Sequence, residues 1–165
     1  MTVKLIRADD VPPVAWKNGG GVTRDLWCEP AGADWRWRIS LADIDRAGPF
    51  SAFPGVERWF AVVEGAGVRL SFADHEQRIG PHDHPVRFDG ADAPGCQLIN
   101  GRTRDLNLML RGGARGVMVR GEAWYGRDEW PLSGRFDIQT MSLHWGTAAD
   151  TLRTPGPTLW IGVAP

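Results

Sequence analysis

Apolar and polar side chains alternate along Trp35-Arg36-Trp37-Arg38-Ile39-Ser40-Leu41, with Trp35, Trp37, Ile39 and Leu41 at every second position. A period of two marks a strand with one apolar and one polar face. The same pattern predicts strands over residues 58–64 and 68–72, and Gly65-Ala66-Gly67 between them predicts a hairpin closed by a glycine turn. Further strands are predicted over residues 3–7, 22–28, 86–88, 97–100, 106–111, 116–119, 136–143 and 159–163. Helical periodicity is nearly absent, and Gly and Pro punctuate the whole chain into short segments. The prediction is an all-β sandwich or small barrel in one compact domain, with β-structure on both sides of a Pro/Gly-rich stretch at 89–95.

Asp105-Leu106-Asn107-Leu108-Met109-Leu110 adds a chemical reading to the pattern. Its leucines form a core face, while Asp105, Asn107 and Met109 form a face suited to the lining of a polar pocket. Asp105 alternatively caps backbone amides after the turn at Gly101-Arg102-Thr103-Arg104. Arg38 and Ser40 pose the same choice between open surface and pocket. Nine tryptophans in 165 residues favour burial of both faces of some strands.

The length suits one domain, and the net charge of −1, with both signs scattered, points to neither nucleic acid nor an anionic membrane surface as partner. Only Lys4 and Lys17 among the 19 basic residues are lysines, so cationic contacts are mostly planar guanidinium forks suited to carboxylates. Cys28 and Cys96 lack a metal-binding or redox spacing and read as small buried hydrophobes. The first ten residues carry no apolar signal core and no stretch has the length of a membrane span, so a soluble, cytoplasmic protein is expected.

Trp16-Lys17-Asn18-Gly19-Gly20-Gly21-Val22-Thr23 sets three glycines among donors able to meet a ligand, or else forms a plain turn. His82-Asp83-His84 has the spacing that puts two imidazoles on one face of a strand, as in metal-binding cupins. Pro81 and Pro85 bracket it, however, and predict an exposed bend. No G-x-S-x-G elbow, H-E-x-x-H helix or phosphate loop is present.

Four blocks together resemble the HutD/Ves family: the glycine run at 16–23, residues 35–42, Gly48-Pro49-Phe50-Ser51-Ala52-Phe53-Pro54-Gly55-Val56-Glu57-Arg58, and Asp105-Leu106-Asn107-Leu108-Met109. The resemblance implies a cupin-like double β-barrel or sandwich, a bicupin with halves of about 1–90 and about 91–165, without the metal centre or other cofactor of enzymatic cupins. It also implies an association with bacterial histidine utilisation and a non-enzymatic role: binding a pathway carboxylate such as formylglutamate or urocanate to regulate flux. The matching motif positions are Trp16, Lys17, Asn18, Thr23, Arg38, Ser40, Ser51, Phe53, Arg58, Asp105 and Asn107, and Gly19 joins them from the glycine run. Competing expectations are a metal-dependent cupin isomerase or oxygenase using His82, His84 and a distant third ligand, and a scaffold that binds proteins through tryptophan-rich surface. A homodimer is a further expectation.

Overall fold

A computed structural model of the protein describes residues 3–126, 128–146 and 156–165. Its strands are β1 (Lys4–Arg7), β2 (Val14–Ala15), β3 (Gly21–Glu29), β4 (Trp37–Ile44), β5 (Gly48–Pro49), β6 (Glu57–Glu64), β7 (Val68–Ser71) and β8 (Glu76–Ile79). They continue with β9 (Val86–Asp89), β10 (Gly95–Leu98), β11 (Thr103–Leu110), β12 (Arg115–Arg120), β13 (Leu132–Asp137), β14 (Ser142–Trp145) and β15 (Thr158–Ala164). The only helical elements among the described residues are two single turns at Ala8–Asp10 and Gly90–Asp92. No helix there is long and apolar enough to cross a membrane.

The strands form three sheets. The central one runs β2-β3-β4-β11-β6-β9; a five-stranded sheet, β1-β14-β13-β15-β12, and a four-stranded sheet, β5-β10-β7-β8, flank it. Alternation explains the layering. Trp37, Ile39 and Leu41 of β4 and Leu106, Leu108 and Leu110 of β11 pack with Phe136, Leu143, Leu159 and Ile161 of the five-stranded sheet. The opposite face of the central sheet sends Ile44, Phe60 and Val62 against Val68, Leu70, Ile79 and Cys96 of the four-stranded sheet. The central strands are therefore buried on both faces, the arrangement that the tryptophan content favoured.

All-β architecture is as expected, but among the described residues the sheets are open and do not close into barrels. Each ends on edge strands, and at one edge of the central sheet β2 has only two residues. The sheets also do not divide at residue 90: β10 and β11 belong with the N-terminal strands, while β1 joins the C-terminal sheet.

Three local expectations need correction. Strands 57–64 and 68–71 form no hairpin, because β6 pairs with β11 and β9 while β7 pairs with β10 and β8. Gly65-Ala66-Gly67 instead carries the chain from one sheet to another. Gly67 has φ +108°, and a Cβ there would lie 2.2 Å from the Ile79 carbonyl oxygen, so the crossing needs bare backbone. The strand expected at 136–143 is two strands, with the amides of Gln139 and Thr140 donating to Asp137 Oδ1 in the turn between them. Trp35 lies before β4 and leaves its apolar face. It packs with Val56 and Met109, and Arg111 holds it there by stacking 3.9 Å from its ring and donating to its carbonyl.

Candidate functional site

The face of the central sheet that turns toward the four-stranded sheet is only partly covered by it, and its side chains form a grid fixed by strand register. Cys28, Arg38, Met109, Arg58 and Phe88 form one row across β3, β4, β11, β6 and β9. Asp25, Ser40, Asn107 and Phe60 form the next, and Thr23, Ala42, Asp105 and Val62 the third. Above this floor lies a cavity of about 630 Å³, walled by Trp16, Lys17 and Asn18 on one side and by residues 49–53 on another. The second wall is pinned by two backbone bonds, Phe50 N–H to the Pro94 carbonyl at 3.0 Å and Phe53 N–H to the Gly90 carbonyl at 2.8 Å.

Arg58 sits deep in this grid, 5% exposed. Its guanidinium carbon lies 5.0, 5.8 and 5.2 Å from the ring centroids of Phe50, Phe53 and Phe88. Aromatic faces attract a desolvated cation. Its NH2 donates to Asn107 Oδ1 at 2.9 Å, and Asn107 Nδ2 donates to Asp105 Oδ2 at 2.6 Å, so one amide links a buried cation to a buried acid. Arg58 Nε and Asp105 Oδ1 are buried without partners among the described residues. Burial lowers the Arg58 guanidinium to about 10, opposed by the charge of Asp105 and helped by that of Arg38, so it stays cationic at neutral pH. Burial pushes the Asp105 carboxyl up to about 7, against the hydrogen bond from Asn107 and the charge of Arg58.

The outer part of the cavity is more polar. Arg38 Nε donates to Asp25 Oδ1 at 2.7 Å, and the indole N–H of Trp16 donates to Thr23 Oγ1 at 2.7 Å. Trp16→Phe keeps most of the ring but removes that bond. It is expected to cost about 1 kcal/mol of stability, read from urea unfolding.

The glycine run is a tight loop joining β2 to β3, which pair through Val14 with Thr23 and Ala15 with Val22. Gly19 N–H donates to the Trp16 carbonyl and Gly20 N–H to Asn18 Oδ1, so these amides serve the loop itself. A Cβ on Gly21 would lie 2.3 Å from the Asp43 carbonyl oxygen, which is why β3 must start on glycine beside β4.

Of the residues expected at the site, Trp16, Lys17, Asn18, Thr23, Arg38, Ser40, Ser51, Phe53, Arg58, Asp105 and Asn107 all line the cavity, whereas Gly19 does not. Asp25 and Phe50 also line it and were not foreseen, and Met109 lines it beside Asp105 and Asn107, on the face expected of their strand. Asp25 could have been found as the residue two after Thr23 on the same strand face. His82 and His84 are exposed in the turn between β8 and β9, away from the cavity lining. That turn is closed by Gly80 N–H on Asp83 Oδ2 and held by Arg120 Nε on the Asp83 carbonyl. Among the described residues, no group of three or more His, Cys, Asp or Glu side chains is placed to hold a metal ion. Both cysteines are free thiols, Cys96 buried and Cys28 partly so.

The family model described as HutD matches residues 8–144. A 21.2 kDa protein of Pseudomonas putida, named for its place in the hutC 3' region, is 39% identical over 110 residues, 65% of this chain and 57% of that one. Protein Ves of Escherichia fergusonii is 36% identical over 103 residues, 61% of this chain and 54% of its own. The chain thus spans little more than half the length of these curated relatives. The solved structure of HutD from Pseudomonas fluorescens, in a formate condition, superposes with a TM-score of 0.78 at 25% identity, over 99% of this chain and 98% of that one. More remotely, the polyketide cyclase RemF of Streptomyces resistomycificus (TM-score 0.52, 20% identity, 68% of this chain and 81% of that one) shares the cupin-like fold alone.

Proposed function

The chain belongs to the HutD family, and from that premise and the cavity on its central sheet we propose that it is a non-enzymatic binding protein for a small organic acid. The observation that carries the reading is a guanidinium, Arg58, buried among three phenyl rings at the floor of a cavity of about 630 Å³. A buried cation in a mostly apolar pocket of that size suits a small anionic ligand, which charge-assisted hydrogen bonds hold more tightly than neutral ones. Lys17 and Arg38 add positive charge to the lining, Ser40, Ser51 and Asn107 supply hydrogen-bonding groups, and Trp16, Phe50 and Phe53 supply apolar wall.

The biological role we infer is regulation of histidine or other amino-acid catabolism, supported by the hutC-adjacent place of the Pseudomonas putida relative. Formylglutamate and urocanate are the first ligands to try. We also read β2 to β11 as the pocket-bearing half of a bicupin and the five-stranded sheet as its second half.

Calorimetric titration with a panel of pathway carboxylates tests this function. Saturable binding that Arg38→Ala and Asn107→Ala each weaken by about tenfold is expected, the loss of one hydrogen-bonding group at a charged ligand. No saturable heat with any carboxylate, or affinities unmoved by both substitutions, would remove the assignment.

A further inference from the structure

Asp105 lines the cavity yet is only 1% exposed. Asn107 Nδ2 bonds its Oδ2, while its Oδ1 is buried with no hydrogen-bond partner among the described residues. The Asn107 amide also takes the Arg58 NH2 bond, so it stands between the carboxyl and the guanidinium. An ionised carboxylate placed there would meet an incoming anion with like charge in a poorly solvated site. A carboxyl with its proton on Oδ1 would instead offer an O–H that lacks an acceptor, and an anionic ligand supplies one.

We propose that Asp105 is a proton-carrying recognition residue: the pocket takes up a carboxylate ligand together with one proton, which sits on Asp105 Oδ1 and is donated to a ligand oxygen. This rests on the organic-acid reading above. The proton comes from solvent, no covalent bond forms or breaks, and the added proton balances one negative charge of the ligand.

The surroundings agree with that assignment. Burial holds the Asp105 carboxyl near 7; Asn107 and Arg58 pull it down and the Asp43 charge from β4 pushes it up. The remaining charged groups around the same cavity are Arg38 from β4, Asp25 from β3 and Lys17 from the glycine loop. Cys96 of β10 stays a thiol, pushed up to about 12 by burial and by the charge of Asp105.

The test is calorimetric binding of N-formylglutamate, whose carboxylates remain ionised between about pH 6 and about pH 9. It is measured on the wild type and Asp105→Asn across that range, in two buffers of different ionisation enthalpy. Wild-type affinity is expected to fall about tenfold per pH unit above about pH 7, with one proton taken up per ligand bound. Asp105→Asn is expected to give a flat profile and no uptake. Wild-type binding without pH dependence or proton uptake overturns the proposal and leaves the organic-acid reading standing. An Asp105→Asn protein that still takes up a proton also overturns it. The proton count on the wild type decides the matter even if the variant does not fold. Absence of saturable wild-type binding at every pH overturns both.

Discussion

Arg58→Met is expected to yield a folded protein whose affinity for carboxylates has dropped by about 100-fold or more, equivalent to about 2.7 kcal/mol. Methionine retains an unbranched apolar stem between Phe50, Phe53 and Phe88, so the packing of the floor survives while the charge is lost. Stability is expected to fall less than binding. With the guanidinium gone, Asp105 loses a neighbour that holds its pKa down and can take up a proton instead of staying charged. Asn107 still bonds Asp105 but has no donor for its own Oδ1, which is an acceptor left unsatisfied. Titration calorimetry beside urea unfolding separates the two effects, and a folded variant that is less stable but binds normally would contradict the assignment of Arg58 to the site.

Asp43→Ala is expected to destabilise the fold by about 3 kcal/mol at neutral pH. Asp43 is 2% exposed, and Arg24 NH1, Arg102 NH2 and Arg104 Nε approach it at 3.1, 2.6 and 2.6 Å. Its removal leaves Arg24 and Arg104 with poor compensation. Arg102, 57% exposed, contributes little because water screens it. Arg24 and Arg104 also keep some access to solvent, which holds the loss to the lower end for a broken buried ion pair.

Burial alone would raise the Asp43 carboxyl, but hydrogen bonds from Arg104 and Arg102 outweigh it and hold the group below the usual carboxylate value. A carboxyl depressed in the folded state stabilises the fold above its unfolded pKa, near 3.9, and that contribution is lost as pH falls through the folded value. The stability gap between wild type and Asp43→Ala should therefore be full at neutral pH and narrow below about pH 4. Urea unfolding of both proteins at several pH values reads it directly, and a gap that stays constant into acid would contradict the ion-pair account.

The legible parts of the fold depended on neighbours in sequence. In β11 the alternation of leucines with Asp105, Asn107 and Met109 is a property of the pleat, so the split between core face and cavity face could be read from the residues. Trp35 shows where that logic ends: it continues the alternation of Trp37, Ile39 and Leu41, yet the turn before β4 and the grip of Arg111, 76 residues away, rotate it to the other side. The expected hairpin failed for a related reason. Glycines at 65 and 67 mark a change of direction, but only competition among distant partners decides which sheet each flanking strand joins. Phe50 was invisible as a wall residue because its loop is positioned by Pro94, a contact that has no local signature.

What the sequence by itself determined was strand character, the two faces of the β4 and β11 strands, and a set of polar motif residues that belong together. These follow from backbone pleat, glycine tolerance and motif pattern, all of which act over a few residues. Only the tertiary structure decided that the sheets stay open, that Arg58 and Asp105 are joined through Asn107, and that the glycine amides close their own loop instead of facing the cavity. Each of these depends on register between strands far apart in the chain. Burial, and with it the shifted protonation of Asp105, exists only once those strands have removed the water between them.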